Sequence, residues 1–501
     1  MTYACQVDDE RSEVSYGLRL TQIASERPDD VGIVIVDQQG GERPIPWREL
    51  EARANQIARA LQSHGVGKDD VVALALPSCA EHIFVTMAIW KLGATLLPLR
   101  HDVPDWEIAR LLALASPVVL VSDGHQAECP VLTRADLAAT TALADDALPD
   151  EVSECMNLVA SSGSTGLPKL IVGSSRAVVE GEPQHQAARG DGALVALVVS
   201  PLYHVNGFAF ATPLALEGGR AIVMERFDAA LAVDLIERHA ITLTVMVPTM
   251  LQRVARLPGL DPARLASLER VLYGGARIPD WVVDRWLELV DPSVFTFSYG
   301  SSESFGLVMM SGTEWADHRG STGRPVDAEV SIRDDDGRPV PAGEVGNIYL
   351  RPLEVRRMFR YIGIPTPEPT EDGFLTVGDM GWVDDDGYLY VTDRKQDMLV
   401  SGGANVFPAE VESALSEHPE VVDQVVVGVP DDEWGQRVHA IVQVADPVRP
   451  PSHDDLRAFC KARLAGYKVP KTYEIVERVP RSEAGKLNRT DLGRARAQGS
   501  A

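Results

Sequence analysis

Positive charge is in short supply in this sequence. Lys and Arg number 47 against 73 Asp and Glu, a formal net charge of −26. A surface this acidic argues against nonspecific binding to nucleic acid or anionic lipid. A polyanionic ligand would need a local basic site. Cysteine is scarce as well. Cys5, Cys79, Cys129, Cys155 and Cys460 are scattered, with no CxxC pair and no zinc-ligand spacing. That pattern reads as reduced thiols in the cytoplasm, not as a disulfide framework. Long apolar runs are missing: the richest stretch, residues 192–219, is broken by Pro, His, Asn and Gly, so no membrane span is expected. The N-terminus "MTYACQVDDERSE" has neither the basic start nor the apolar run of a signal peptide. No Walker-type GxxxxGK[ST] loop, no GxSxG elbow and no 20–50-residue repeat is present.

What is present alternates between helix and strand. "WRELEARANQIARALQSHGV" places Leu50, Ile57 and Leu61 near helical spacing. "DVVALALP" then reads as a buried strand and "AEHIFVTMAIWKLGA" as a helix. "ATLLPL", "PVVLVSD", "ALVALVVS", "RAIVME" and "ITLTVMVP" are further short apolar runs. Such βα alternation predicts an α/β fold of layered, largely parallel sheets. After about residue 320 the character changes. Two DDG turns lie between strand-like runs, and from Met398 the chain reads as a small α+β unit. Its helix "PAEVESALSEH" carries Pro408 in the first turn. The boundary falls near Asp393–Asp397, giving a large domain 1–395 and a small domain 396–501.

Four stretches have residues suited to holding a nucleotide. "SSGSTGLPK" offers Gly163 and Gly166 for close backbone approach to phosphate, hydroxyls on Ser161, Ser162, Ser164 and Thr165, and the cation of Lys169. Alone it reads equally as an ordinary Gly/Ser loop. "YGSSES" has Ser302 for a phosphate and Glu303 for magnesium, or is simply a polar turn after a strand. In "VGDMGWVDDDGYLYVTDRK", Asp379 and Arg394 suit ribose hydroxyls, or are a turn acid and a surface base. "PRSEAGKLNR" brings Lys486 near the C-terminus, as a phosphate-seeking cation or a solvated one.

Together, in this order and spacing, they resemble the adenylate-forming superfamily of acyl-CoA synthetases, peptide-synthetase adenylation domains and beetle luciferases. The resemblance runs over essentially the whole chain and includes "PLYHVNG", "YGGARIP" and "GEVGNIYLR". It is strongest to bacterial acyl-CoA ligases of the bile-acid-CoA-ligase kind. Amide bond synthetases are similar in layout. The resemblance implies a small, mobile C-terminal domain. It assigns the loop from Ser161 to Lys169 to the phosphates of ATP, with Thr165 among the catalytic residues. Gly275 and Ala276 would border the adenine, Tyr299 would stack near it, and Ser302 would lie by the α-phosphate. Glu303 would take Mg2+, Asp379 and Arg394 the ribose. Lys486 would bridge carboxylate and α-phosphate. His204 and Phe208, with Gly300 and Ser301, would meet the acid. Gly402 and Gly403 would let the pantetheine arm of CoA pass.

The expected reaction follows from these roles. A carboxylate is a poor electrophile, so ATP converts it to a mixed anhydride with AMP, and cations neutralise the charge that builds up. His204 has no recognisable Ser/Asp relay and reads as a gate or pocket residue, or as an ordinary packed histidine. CoA is the expected acceptor, with a free amine second and a carrier-protein thiol third. Phe208, Phe210, Val247, Met250, Phe305 and Met309 favour an apolar acid, aryl or polycyclic. The chain departs from the family pattern in places. Gln396 stands at the hinge where Asp or Lys is usual, Ala404 where many CoA ligases have Glu, and Ser164 and Ser302 where Thr is commoner.

Overall fold

The computed structural model describes residues 13–161, 169–173, 175–179, 194–353, 359–431, 433–481, 487 and 489–498. The chain divides into two compact units. The first comprises residues 1–228, 239–243 and 357–366. Four of its strands, Thr95–Pro98, Val71–Ala75, Val119–Ser122 and Val131–Leu132, pair in that order, all parallel. Val195–Val198, Arg220–Met224 and Val31–Val36 are also parallel neighbours, and Glu42–Pro46 folds back antiparallel on the last. The expected strands are therefore present where short apolar runs stood. Strands buried on both faces lose the polar alternation of a half-exposed sheet.

The helix Ala80–Lys91 buries every residue except Glu81. A helix that is apolar all round belongs inside the protein. Its last residue, Lys91, is buried with its ammonium 2.9 Å from Glu51 and 3.0 Å from the Thr21 hydroxyl. Leu50, Ile57 and Leu61 all point inward from the helix Trp47–Ser63. A three-stranded antiparallel sheet of Leu158–Ser161, Lys169–Val172 and Arg360–Ile362 also belongs to this unit.

The second unit comprises residues 229–238, 244–356 and 367–501. In it Arg270–Tyr273 runs parallel to Phe295–Gly300, and Leu307–Ser311 returns antiparallel. An antiparallel sheet follows with the order Ala328–Arg333, Gly346–Pro352, Asp379–Val383, Leu389–Arg394. Both "DDDG" stretches make the same turn. Oδ1 of Asp334 accepts the amides of Asp336 and Arg338, and Oδ1 of Asp384 those of Asp386 and Tyr388. Gly337 and Gly387 take φ of 78° and 81°, which glycine adopts at little cost.

The C-terminal segment has the expected α+β character. The strands Val421–Asp431 and Gly435–Val444 form a long hairpin, with Thr472–Val476 parallel to the second. The helix Pro408–Ser416 starts with its proline at the first turn, where a missing N–H is harmless. The helix His453–Lys461 opens with a Ser452/Asp455 capping box. The carbonyl end of Pro408–Ser416 is covered from the same unit. Arg256 donates to the carbonyls of Ser416 at 2.8 Å and of Val421 and Val422, and Trp281 Nε1 donates to Ser416 Oγ at 3.0 Å. A cation is favoured where helical carbonyls are left over. The four described cysteines are free, and no helix among the described residues is long and apolar enough to cross a membrane.

Candidate active site

In the second unit, three of the expected residues meet around one carboxylate. Tyr299 is the penultimate residue of Phe295–Gly300, and its hydroxyl donates to Asp379 Oδ2 at 2.9 Å. Asp379 and Arg394 are directly opposed at the open end of one hairpin, with Arg394 Nε 3.5 Å from Asp379 Oδ1. Asp379 is nearly buried, whereas Arg394 reaches into solvent. Burial raises the Tyr299 phenol well above its ordinary pKa, and the Asp379 charge raises it further. The phenol therefore stays a donor at ordinary pH. A largely buried carboxylate with spare lone pairs beside an exposed guanidinium suits vicinal hydroxyls.

The turn after Tyr299 is tight. Gly300 pairs with Leu307, and the Ser304 amide donates to the Ser301 carbonyl at 3.0 Å with Ser304 at φ 55°. Ser302 is exposed and Glu303 half-buried. The Glu303 charge adds to the upward push on the Tyr299 phenol, which places the carboxylate within electrostatic range of that ring. No group of three metal-ligating side chains occurs among the described residues. A hard oxygen donor on a polar turn is nevertheless the usual protein share of a magnesium site, because that ion keeps its waters and takes phosphate oxygens.

Gly275 and Ala276 follow the strand Arg270–Tyr273, the parallel neighbour of the Tyr299 strand. Both loops therefore leave at the carboxyl edge of this sheet, where open α/β sheets bind ligands. Gly275 and Ala276 are exposed, and the Ala276 carbonyl accepts the Tyr273 hydroxyl at 2.8 Å. Gly274, which the motif alone does not mark, is the tightly packed glycine: a Cβ there would lie 2.8 Å from Ser298 Oγ, one residue before Gly275. Phe305 and Met250 are buried, Met309 and Val247 half-buried.

Gly402 and Gly403 form the two-residue turn between Leu399–Ser401 and Ala404–Val406, with φ of 58° and 78°. That turn type demands positive φ at both positions, so the glycines have a structural reason of their own. A Cβ on Gly402 would come 2.7 Å from the Trp434 ring, while one on Gly403 would meet open space.

Gln396, the expected hinge position, lies exposed in a turn closed by Asp397 N to Arg394 O at 3.0 Å. Its neighbours form a cluster the sequence reading missed. Arg489 donates to Glu412 at 3.0 Å and lies 3.8 Å from Asp397, while the Asp393 carboxylate accepts the Ala409 amide at 3.0 Å. Burial raises the pKa of Asp393 and of Asp397, and Arg489 pulls both back. No local periodicity signals such a cluster, because its members come from three separate segments.

In the first unit, Ser161 and Lys169 are paired residues at the mouth of a hairpin. Ser162, Gly163, Ser164, Thr165 and Gly166 lie outside the described residues, as does Lys486. Among the described residues the strand Leu158–Ser161 is followed by the strand Lys169–Val172, whereas a Walker loop leads from a strand into a helix. His204 precedes the short helix Val205–Ala209, with its ring 4.6 Å from that of Tyr203. Phe208 sits in the core, edge-on to Trp90 at 5.5 Å.

Two family descriptions match the sequence: "AMP-binding enzyme" over residues 20–358 and "AMP-binding enzyme C-terminal domain" over residues 410–486. The chain belongs to the adenylate-forming superfamily. A feruloyl-CoA synthase from Amycolatopsis is 34% identical over 479 residues, covering 91% of this chain and 94% of that protein. The Bacillus subtilis o-succinylbenzoate-CoA synthetase, solved with its acyl-adenylate intermediate, superposes with a TM-score of 0.77 at 26% identity. That match covers 96% of this chain and 98% of the other. The amide bond synthetase from Marinactinospora thermotolerans gives a TM-score of 0.74 at 27% identity, over 96% and 100%. As in those structures, this adenylate-forming chain has a large N-terminal and a small C-terminal domain in a mixed α/β fold.

Proposed function

We propose that this chain is an ATP-dependent carboxylic acid ligase that forms an acyl-adenylate, releases pyrophosphate and passes the acyl group to CoA. The observation that carries the reading is the Tyr299–Asp379–Arg394 cluster beside the Glu303 turn, in a chain similar to CoA ligases. Asp379 holds the ribose hydroxyls, with Tyr299 keeping the carboxylate oriented and Arg394 closing from solvent. Gly275 and Ala276 border the adenine. Lys169, with the loop after Ser161, takes the β- and γ-phosphates. Glu303 is the carboxylate for Mg2+, which when bound neutralises charge on the polyphosphate. Lys486 meets the acid carboxylate and α-phosphate as attack brings two anions together. His204, Phe208, Gly300 and Ser301 are assigned to an apolar acid, for which likeness to a feruloyl-CoA synthase supports an aryl member.

The joint between the domains lies at residues 395–396, between the two matched segments. The setting is the cytoplasm, in keeping with the free cysteines. A second reading, transfer to an amine, is favoured by Gln396 at the hinge and by the likeness to an amide bond synthetase.

The test is pyrophosphate release across a panel of aryl and aliphatic acids, with CoA or amines added and products identified by mass. Lys486→Ala should lose adenylation while transfer from supplied acyl-adenylate is much less affected. Equal loss of both steps refutes the role given to Lys486.

A further inference from the structure

The strand Arg360–Ile362 belongs to the first unit, although it follows Lys169 in the chain by about 190 residues. It pairs antiparallel with Lys169–Val172, and Tyr361 stands opposite Ile171. Opposed residues share a face, and so do residues two apart on one strand. Lys169 and Tyr361 are therefore diagonal neighbours on one face. The ammonium of Lys169 lies over the Tyr361 ring, 3.7 Å from its centroid. That is well within the range at which a cation is attracted to an aromatic face. The ring itself is held. Phe359, buried and two residues earlier, packs against it at 5.3 Å, and the Tyr361 amide donates to Thr366 Oγ1 at 2.9 Å.

We infer that Tyr361 is a positioning residue for Lys169: its ring face holds the ammonium at the mouth of the hairpin in the place where polyphosphate is to be met. The inference rests on the reading of Lys169 as a phosphate ligand. A lysine stem has four rotatable bonds, and freezing them on ligand binding costs free energy. A ring that restrains the stem beforehand lowers that cost, and it meets the ammonium from one side only, so the cation can still be offered to phosphate oxygens. The contact uses the π face and not the hydroxyl, so Phe should replace Tyr and Leu should not.

The experiment is steady-state pyrophosphate release as a function of ATP concentration for wild type, Tyr361→Phe, Tyr361→Leu and Lys169→Met. Tyr361→Leu should raise KM for ATP roughly two- to thirty-fold, the span of exposed to desolvated cation–π contacts, with kcat little changed. Tyr361→Phe should keep the wild-type KM. A merely structural role would lower kcat and melting temperature in Tyr361→Leu without that KM split. Unchanged or lower KM in Tyr361→Leu, with Lys169→Met impaired, overturns the inference and leaves the reading of Lys169 intact. Unchanged KM in Lys169→Met overturns that reading and the inference with it.

Discussion

His82 should make this protein sensitive to mild acid. It sits in the first turn of Ala80–Lys91, 2% exposed, with Nδ1 3.2 Å from the Leu76 carbonyl. Its Nε2 is buried without a hydrogen-bond partner among the described residues. A charge on this ring would lose its hydration. Burial therefore lowers the pKa from 6.5 to about 4, against a smaller upward pull from the Leu76 and Pro77 carbonyls, and His101 lowers it slightly further. The folded pKa is depressed, so the contribution to stability is complete above the unfolded value. It is lost as pH falls from about 6.5 to about 4, where only the unfolded chain takes up the proton. At 1.36 kcal/mol per unit the loss is about 3 kcal/mol. His82→Gln keeps a donor for Leu76 and cannot titrate. Its stability at neutral pH should be below wild type, and the gap should close by about 3 kcal/mol on going to pH 4. Urea unfolding curves of both proteins at several pH values measure this. A gap that stays constant with pH would refute the reasoning.

Glu303→Gln should cut acid-dependent pyrophosphate release roughly 100-fold and move its magnesium dependence to higher concentration. An unchanged magnesium titration would remove the metal from Glu303. Gly403→Trp should block thioester formation and spare pyrophosphate release. The side chain enters open space, and the positive φ costs about 1–2 kcal/mol. Product mass with CoA, and separately with a simple amine, reads it; a wild type that makes amides and no thioester replaces the CoA assignment. Arg256→Met should destabilise the second unit by about 2–3 kcal/mol, since a charged donor to three carbonyls is lost. A melting temperature equal to wild type would show those bonds to be idle.

Contacts made within a few residues were legible in the sequence, and distant ones were not. Runs such as "RAIVME" become buried strands, Pro408 opens its helix and both DDDG stretches turn as their side chains dictate. Asp379 and Arg394 meet because one hairpin fixes their register. The hydroxyl of Tyr299 reaches Asp379 across 80 residues, a pairing no spacing rule contains. The same holds for Arg489 on Glu412 and for Lys169 on Tyr361. Side-chain type is ambiguous where two needs coincide. Phe208 suits an apolar pocket, yet its ring packs on Trp90; Gly402 suits a narrow passage, yet its turn and Trp434 already require glycine.

The late return of Arg360–Ile362 to the first unit bears on how the protein is made. Until that segment leaves the ribosome, the strand Lys169–Val172 has an open edge on one side. At roughly 5–20 residues per second the wait is on the order of 10–40 s. An unpaired apolar edge is a template for other chains. Premature termination before residue 360 thus yields a nascent chain that is complete in most of its early strands and still sticky at one of them.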